Sequence, residues 1–228
     1  MEFIVKICGV TTPAALDAAA AAGASHAGLV FFPPSPRHLS AEAAARLAAA
    51  APADLELVGL FVDPEDAALD SVLEAVPLDA IQLHGAESPE RLADIRRRTR
   101  RPVWKALGVG EAEDLARAAE YGEADRLLFD ARPPQGAARP GGNAAAFDWC
   151  LLASAPPAPP WILSGGLTPG NIHFAIETAI ACQGFTGVDV SSGVESGPGE
   201  KDLDLIAEFT AAARRAFAAR SATSDKFD

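Results

Sequence analysis

Short apolar runs alternate with stretches of helical periodicity from one end of the chain to the other. Strand-like runs fall at 3–10, 26–32, 56–62, 80–84, 103–107, 126–130, 161–164 and 187–190. Helical patterns lie between them at 14–22, 41–50, 64–75, 89–98, 112–121, 147–152 and 169–181, and 203–219 closes the series. Thr12-Pro13, Asp63-Pro64, Ser88-Pro89 and Thr168-Pro169 each put a capping side chain ahead of an N1 proline, and Ser40 precedes Ala41-Glu42. The strands are nearly continuous in apolar residues, as strands buried on both faces should be. Eight β/α units in 228 residues predict one α/β domain, a single (β/α)8 TIM barrel over 1–220, with 221–228 as a disordered tail. A doubly wound open sheet is the alternative architecture, but it would normally need fewer strands.

Two strand ends carry the clearest chemical signal. Trp161-Ile162-Leu163 runs into Ser164-Gly165-Gly166-Leu167, and Gly187-Val188-Asp189-Val190 runs into Ser191-Ser192-Gly193. A β-prone run that stops in small residues frees backbone N–H groups beside the start of a helix. Parallel barrels hold phosphate after their last two strands. The pair therefore predicts a phosphorylated ligand held by the backbone of Gly165, Gly166, Ser192 and Gly193; two turns without a ligand are the other reading. The loops 32–40 and 131–146 are long for βα connections and lie at the same face. The proline-rich run 156–160 falls at the opposite face and reads as a stiff linker.

Composition narrows the partners. A net charge of −12 disfavours nucleic acid and anionic membrane, both of which need clustered Lys and Arg. The basic run Arg96-Arg97-Arg98 with Arg100-Arg101 sits at a helix end, where cations suit the dipole. No long apolar run is present, and the chain opens directly on a strand pattern, so neither a membrane span nor a secretory signal is expected. Cys8, Cys150 and Cys182 are odd in number and far apart, which suggests neither a disulfide framework nor a zinc knuckle. The expectation is a reduced, cytoplasmic protein.

The barrel reading projects a defined set of groups from the strand ends into one cavity. These are Lys6, Cys8 and Gly9 from strand one, Arg37 from the following loop, Gln82 and His84, Lys105, Asp130 and Asp189. Period-two alternation puts Lys6 with Cys8, and Gln82 with His84, on common faces. With Gly28-Leu29-Val30-Phe31-Phe32, Ser35-Pro36-Arg37, Gln82-Leu83-His84-Gly85, Leu127-Leu128-Phe129-Asp130, Ser164-Gly165-Gly166-Leu167 and Asp189-Val190-Ser191-Ser192-Gly193-Val194-Glu195, the chain resembles the phosphoribosylanthranilate isomerases. The likeness runs in order from Lys6-Ile7-Cys8-Gly9 to Gly199-Glu200-Lys201-Asp202. It departs from the family in the strand-six loop, where Gly141-Gly142-Asn143-Ala144-Ala145-Ala146 replaces a more glycine-rich run, so no role is assigned to Asn143.

That resemblance implies a barrel enzyme of tryptophan biosynthesis with no cofactor and no metal. It would convert N-(5-phosphoribosyl)anthranilate to 1-(2-carboxyphenylamino)-1-deoxyribulose 5-phosphate by an Amadori rearrangement. Asp130 matches the family's acid, and its apolar flank would raise its pKa. Cys8 matches the base; a nearby cation such as Lys6 would lower its pKa from about 8.5. Arg37 suits bidentate capture of the anthranilate carboxylate. His84 contacts substrate on this reading, or is simply a histidine hydrogen-bonded within the barrel. Asp189 either orients substrate or pairs with Lys6 or Lys105. Cys150 and Cys182 read as core. The partner would be a small phosphosugar, and the chain a monomer or a homodimer.

A metal-dependent epimerase would need ligands on several strand ends, yet only His84 of the four histidines is well placed. An isomerase for a histidine-pathway aminoaldose would pair aspartates where Cys8 and Lys105 stand. A silent phosphosugar-binding barrel is disfavoured by Cys8, Asp130 and Arg37 together.

Overall fold

The computed structural model describes residues 3–132, 136, 141, 146–154 and 159–224. Eight strands close into a parallel barrel in chain order. They are β1 (Ile4–Cys8), β2 (His26–Val30), β3 (Glu56–Phe61), β4 (Ala80–Leu83), β5 (Val103–Val109), β6 (Arg126–Ala131), β7 (Trp161–Leu163) and β8 (Phe185–Val190). β8 returns to β1 with Lys6 opposite Asp189, which seals the cylinder. The open-sheet alternative is thereby excluded.

The apolar residues divide into three sets because strand side chains alternate in direction. Ile4, Val58, Ala80, Trp104, Ala106, Leu128 and Ile162 fill the barrel interior towards the N-terminal end of the strands. Cys8, Val30 and Leu60 form a smaller patch above them. The largest set lies between the sheet and its surrounding helices, with Ala15, Leu16 and Ala19 of α1 (Pro13–Ala21) fully buried. Small side chains on that helix let it pack closely on its neighbours.

The remaining helices are α2 (Ala41–Ala48), α3 (Asp66–Ala75), α4 (Pro89–Thr99), α5 (Ala112–Ala116), α6 (Ile172–Ala179) and α7 (Leu203–Ser224). Thr12, Ser40 and Ser88 cap α1, α2 and α4 through their side-chain oxygens, as expected. Two other expected caps differ. Asp63 takes a left-handed φ of 45° and accepts from Ala86 N instead, so α3 starts later with Glu65 as its N-cap. Asn171, not Thr168, precedes α6; it accepts from Thr168 N and donates to Gly166 O, which ties down the loop after β7.

The sixth helical unit is a short 3-10 segment, Trp149–Ser154, and α5 continues as a 3-10 turn over Arg117–Tyr121. α7 runs through Ser224, so the first four residues of the expected tail are helical; 225–228 lie outside the described residues. The same holds for Asn143, most of the 131–146 loop, and 156–158 of the proline-rich run. The basic end of α4 is neutralised by half-buried acids, with Arg96 on Asp125, Arg97 on Asp94 and Arg98 on Asp70. Cys150 is exposed, not a core residue as the sequence suggested, whereas Cys182 is half-buried and packs against the core. No described helix is long and apolar enough to cross a membrane.

Candidate active site

One cavity at the C-terminal rim of the barrel brings together Cys8, Arg37, His84, Asp130, Gly165, Gly166, Ser192 and Gly193. Those eight residues, singled out from the sequence, line its wall from β1, β6 and the loops after β2, β4, β7 and β8.

The thiol owes its position to a glycine across the ladder. Cys8 pairs with Gly28, and a Cβ on Gly28 would lie 2.8 Å from the Cys8 Sγ. Below it, Lys6 Nζ donates to Asp189 Oδ1 at 2.7 Å, fully buried inside the barrel. Ser164 Oγ completes the group with a bond of 3.0 Å to Asp189 Oδ2. Burial opposes the charge on Lys6, but Asp189 and Cys8 outweigh it, and its pKa is raised. Lys6 thus stays cationic.

The expectation of a lowered thiol pKa does not hold. Burial pushes Cys8 up; Asp189 adds to that, while Lys6 and Lys201 pull in the opposite direction without prevailing. The sequence showed the cation but not the depth of burial.

Asp130 sits at the end of β6, three strands round the closed barrel from β1. Its Oδ2 lies 3.1 Å from His84 Nε2, and its Oδ1 accepts from Ala131 N at 2.8 Å. Gln82 Nε2 is 3.1 Å from His84 Nδ1. With that amide donating, the imidazole proton resides on Nε2 and points at the carboxylate. Gln82 therefore lies beneath His84, not on the cavity wall. Gly141 packs on the pair so closely that a Cβ there would lie 2.6 Å from Asp130 Oδ2.

Lys105 corrects the sequence reading. It points outward from β5 and is buried against Glu87 Oε2 at 2.8 Å and Gly85 O at 2.7 Å. Its neighbours Trp104 and Ala106 face the barrel interior. It contributes nothing to the cavity, and Asp189 takes Lys6 as its partner.

Arg37 crosses over Gly9, whose φ of 75° and missing side chain leave room for the arginine stem; a Cβ there would lie 2.3 Å from Arg37 Cδ. Its Nε and one terminal nitrogen each reach Glu195 at 2.7 Å. This pairing is not legible in the sequence. Glu195 ends the quoted strand-eight motif, but nothing in the sequence joins it to a residue in the second loop.

The two glycine-rich strand ends meet. Gly165 and Gly166 have φ of 81° and 66°, a backbone geometry that exposes successive N–H groups. A Cβ on Gly193 would lie 1.8 Å from Leu167 O. Gly193→Ala must therefore force the two loops apart. It should lower stability by about 1–3 kcal/mol and raise KM for a phosphorylated ligand, measured by thermal unfolding and steady-state kinetics. An unchanged KM would mean that these loops do not hold the phosphate.

Among the described residues, no group of three or more His, Cys, Asp or Glu side chains is arranged to hold a metal ion. A closed parallel barrel with a thiol, a carboxyl–imidazole pair, a guanidinium and paired glycine loops around one cavity defines a phosphosugar-type acid–base enzyme. Comparison with known proteins makes this specific. Residues 5–212 match the family model described as N-(5'phosphoribosyl)anthranilate (PRA) isomerase. The chain is 56% identical to the N-(5'-phosphoribosyl)anthranilate isomerase of Paracoccus denitrificans over 214 residues, covering 93% of this chain and 98% of that one. It is 54% identical to the Rhodospirillum centenum protein of the same name, covering 93% and 99%.

Among solved structures, phosphoribosyl anthranilate isomerase from Thermotoga maritima superposes with a TM-score of 0.81 at 36% identity, covering 94% of this chain and 100% of that one. A phosphoribosyl anthranilate isomerase in complex with reduced 1-(o-carboxyphenylamino)-1-deoxyribulose 5-phosphate superposes at 0.78 with 35% identity and the same coverage. The chain belongs to the N-(5'-phosphoribosyl)anthranilate isomerase family. It is an isomerase that converts N-(5'-phosphoribosyl)anthranilate to the 1-deoxyribulose 5-phosphate in tryptophan biosynthesis.

Proposed function

We propose that the isomerisation is an Amadori rearrangement run by Asp130 as general acid and Cys8 as general base. The observation that carries this reading is that both groups line one cavity together with Arg37 and the two glycine loops. The phosphate binds at the backbone of Gly165, Gly166, Ser192 and Gly193. The anthranilate carboxylate meets Arg37. Those two anchors stretch the ribose between thiol and carboxyl.

Asp130 delivers a proton to the ring oxygen as the bond from that oxygen to C1 breaks. The anilino nitrogen supplies the electron pair, giving an open-chain iminium. The Cys8 thiolate then takes the proton from C2, and the electrons left behind neutralise the iminium as an enolamine. Moving the hydroxyl proton of the enolamine to C1 gives the ketone product. The cycle closes when the proton on sulfur is returned, by way of product or solvent, to Asp130, so acid and base are regenerated with no net gain or loss of protons.

His84 contacts substrate and, through Nε2–H, holds Asp130 Oδ2 in place. Lys6 and Asp189 act from below the thiol as a fixed charge pair. No cofactor or metal enters these steps. The partner is a small phosphosugar, neither nucleic acid nor membrane, which suits the net charge of −12. A cytoplasmic location fits three free cysteines. The chain is a monomer or a homodimer; one Thermotoga maritima relative is described as dimeric.

Arg37→Ala tests the orientation of the ligand. It should raise KM by roughly 10–100-fold, the worth of hydrogen bonds between charged groups, with a smaller change in kcat. The check is competition by inorganic phosphate, which should inhibit wild type and variant alike. If the variant loses phosphate inhibition instead, Arg37 holds the other end of the ligand.

A further inference from the structure

Behind Arg37 stands a hairpin that the mechanism above does not use. β9 (Glu195–Gly197) and β10 (Glu200–Lys201) follow β8 and pair antiparallel. Glu195 engages two of Arg37's five N–H donors, taking Nε and Nη2 at 2.7 Å each. That is one complete edge of the planar guanidinium. The other edge, formed by Nη1 and the second Nη2 hydrogen, matches a carboxylate in the same two-pronged way.

Glu195 is itself held on three sides. Lys201 Nζ donates to its Oε1 at 2.7 Å and Gly199 N to its Oε2 at 3.2 Å, while Arg37 closes the third. Lys201 also donates to Ser191 O at 2.9 Å, the residue that opens the glycine loop after β8. Gly199 presses on the loop carrying Arg37, since a Cβ there would lie 2.7 Å from Pro36 O.

The side chains of Arg37, Glu195 and Lys201 are only 6%, 4% and 2% exposed. The trio therefore sets two basic groups against one carboxylate; burial pushes the Lys201 ammonium below its ordinary pKa, with Glu195 and Cys8 pulling the other way. Buried excess charge is costly unless a further partner completes it. An anionic carboxylate on the free edge of Arg37 does so. Arg37 and Lys201 hold the Glu195 carboxyl below the usual carboxylate range against the effect of burial, so it remains an anion.

We propose that Glu195, clamped by Lys201, is a positioning residue that sets the free edge of Arg37 for a substrate carboxylate, and so fixes selectivity for ribosylamine phosphates whose aryl group carries one. The proposal rests on the reading of Arg37 as the carboxylate anchor. It adds that the anchor works only while gripped from behind, and that the grip is tied to the phosphate loop.

The experiment measures the affinity of the intact enzyme for two stable product analogues. One is reduced 1-(o-carboxyphenylamino)-1-deoxyribulose 5-phosphate, and the other is the same compound without the ring carboxylate. Wild type should prefer the first. In Glu195→Gln that preference should shrink by about tenfold or more, with affinity for the second analogue unchanged. Lys201→Met should shrink it in the same direction. Preference retained in both variants would overturn the proposal, as would equal loss of both analogues in both, which marks a purely structural role. Arg37→Ala separates the two levels. If it abolishes the preference while Glu195→Gln and Lys201→Met keep it, Arg37 is the anchor but needs no grip. If it too keeps the preference, the anchor assignment itself fails.

Discussion

Asp130→Asn is expected to lower kcat by about 10²–10⁴-fold while KM stays within a few-fold of wild type. The side chains match in shape, so the change isolates the proton. The substituted amide offers its carbonyl oxygen to Ala131 N and turns its NH2 to His84 Nε2, which accepts it in the other tautomer, so both partners of the native carboxyl stay satisfied. Packing beneath Gly141 is kept as well, since the amide adds no heavy atom where a Cβ on Gly141 would already come within 2.6 Å of Asp130 Oδ2. An amide, however, cannot protonate the ring oxygen, and opening a furanose without acid assistance leaves an alkoxide-like leaving group. The measurement is steady-state kinetics with thermal unfolding as the control. Turnover within tenfold of wild type, with an unchanged melting temperature, would remove Asp130 from its role.

Cys8→Ala should cost kcat a similar factor of roughly 10²–10⁴, because alanine offers nothing to accept the C2 proton. The pH dependence adds a second signature. Burial pushes the Cys8 thiol above its ordinary value. On the proposed mechanism the reactive arrangement of the pair has one proton, on the carboxyl, with the sulfur as thiolate, so kcat/KM falls on the alkaline side once the pair gives up that proton. Because the thiol is shifted upward, the falling limb lies above the range of an ordinary cysteine. A limb at or below that range would mean that another group controls it. In Cys8→Ser, whose hydroxyl does not titrate there, this limb should vanish from the residual activity.

Much of this was legible from the chain alone, because the signals were local. A strand must end where Ser164-Gly165-Gly166 begins, and alternation makes Lys6 and Cys8 share a face. Thr12 and Ser88 capped as expected, each accepting from the backbone N–H three residues on. Asp63 failed to cap because a distant backbone donor, Ala86 N, claimed its carboxylate. Lys105 was misplaced for a different reason. Strands buried on both faces lose the polar–apolar alternation that marks inside from outside, so Val103-Trp104-Lys105-Ala106 gives no clue to which residues face the barrel. The grip of Glu195 on Arg37 joins residues 158 positions apart, and only barrel closure brings them together. The upward shift of the Cys8 thiol depended on burial, a property of the whole fold.

The central claim is that one thiol and one carboxyl, set around a single cavity, do the chemistry together. The most direct measurement follows the loss of fluorescence of freshly prepared N-(5'-phosphoribosyl)anthranilate with wild type and with the double variant Cys8→Ala/Asp130→Asn at equal folded concentration. The account predicts rapid loss with wild type and, with the double variant, decay close to the protein-free rate. Decay with the double variant at anything near the wild-type rate would contradict it.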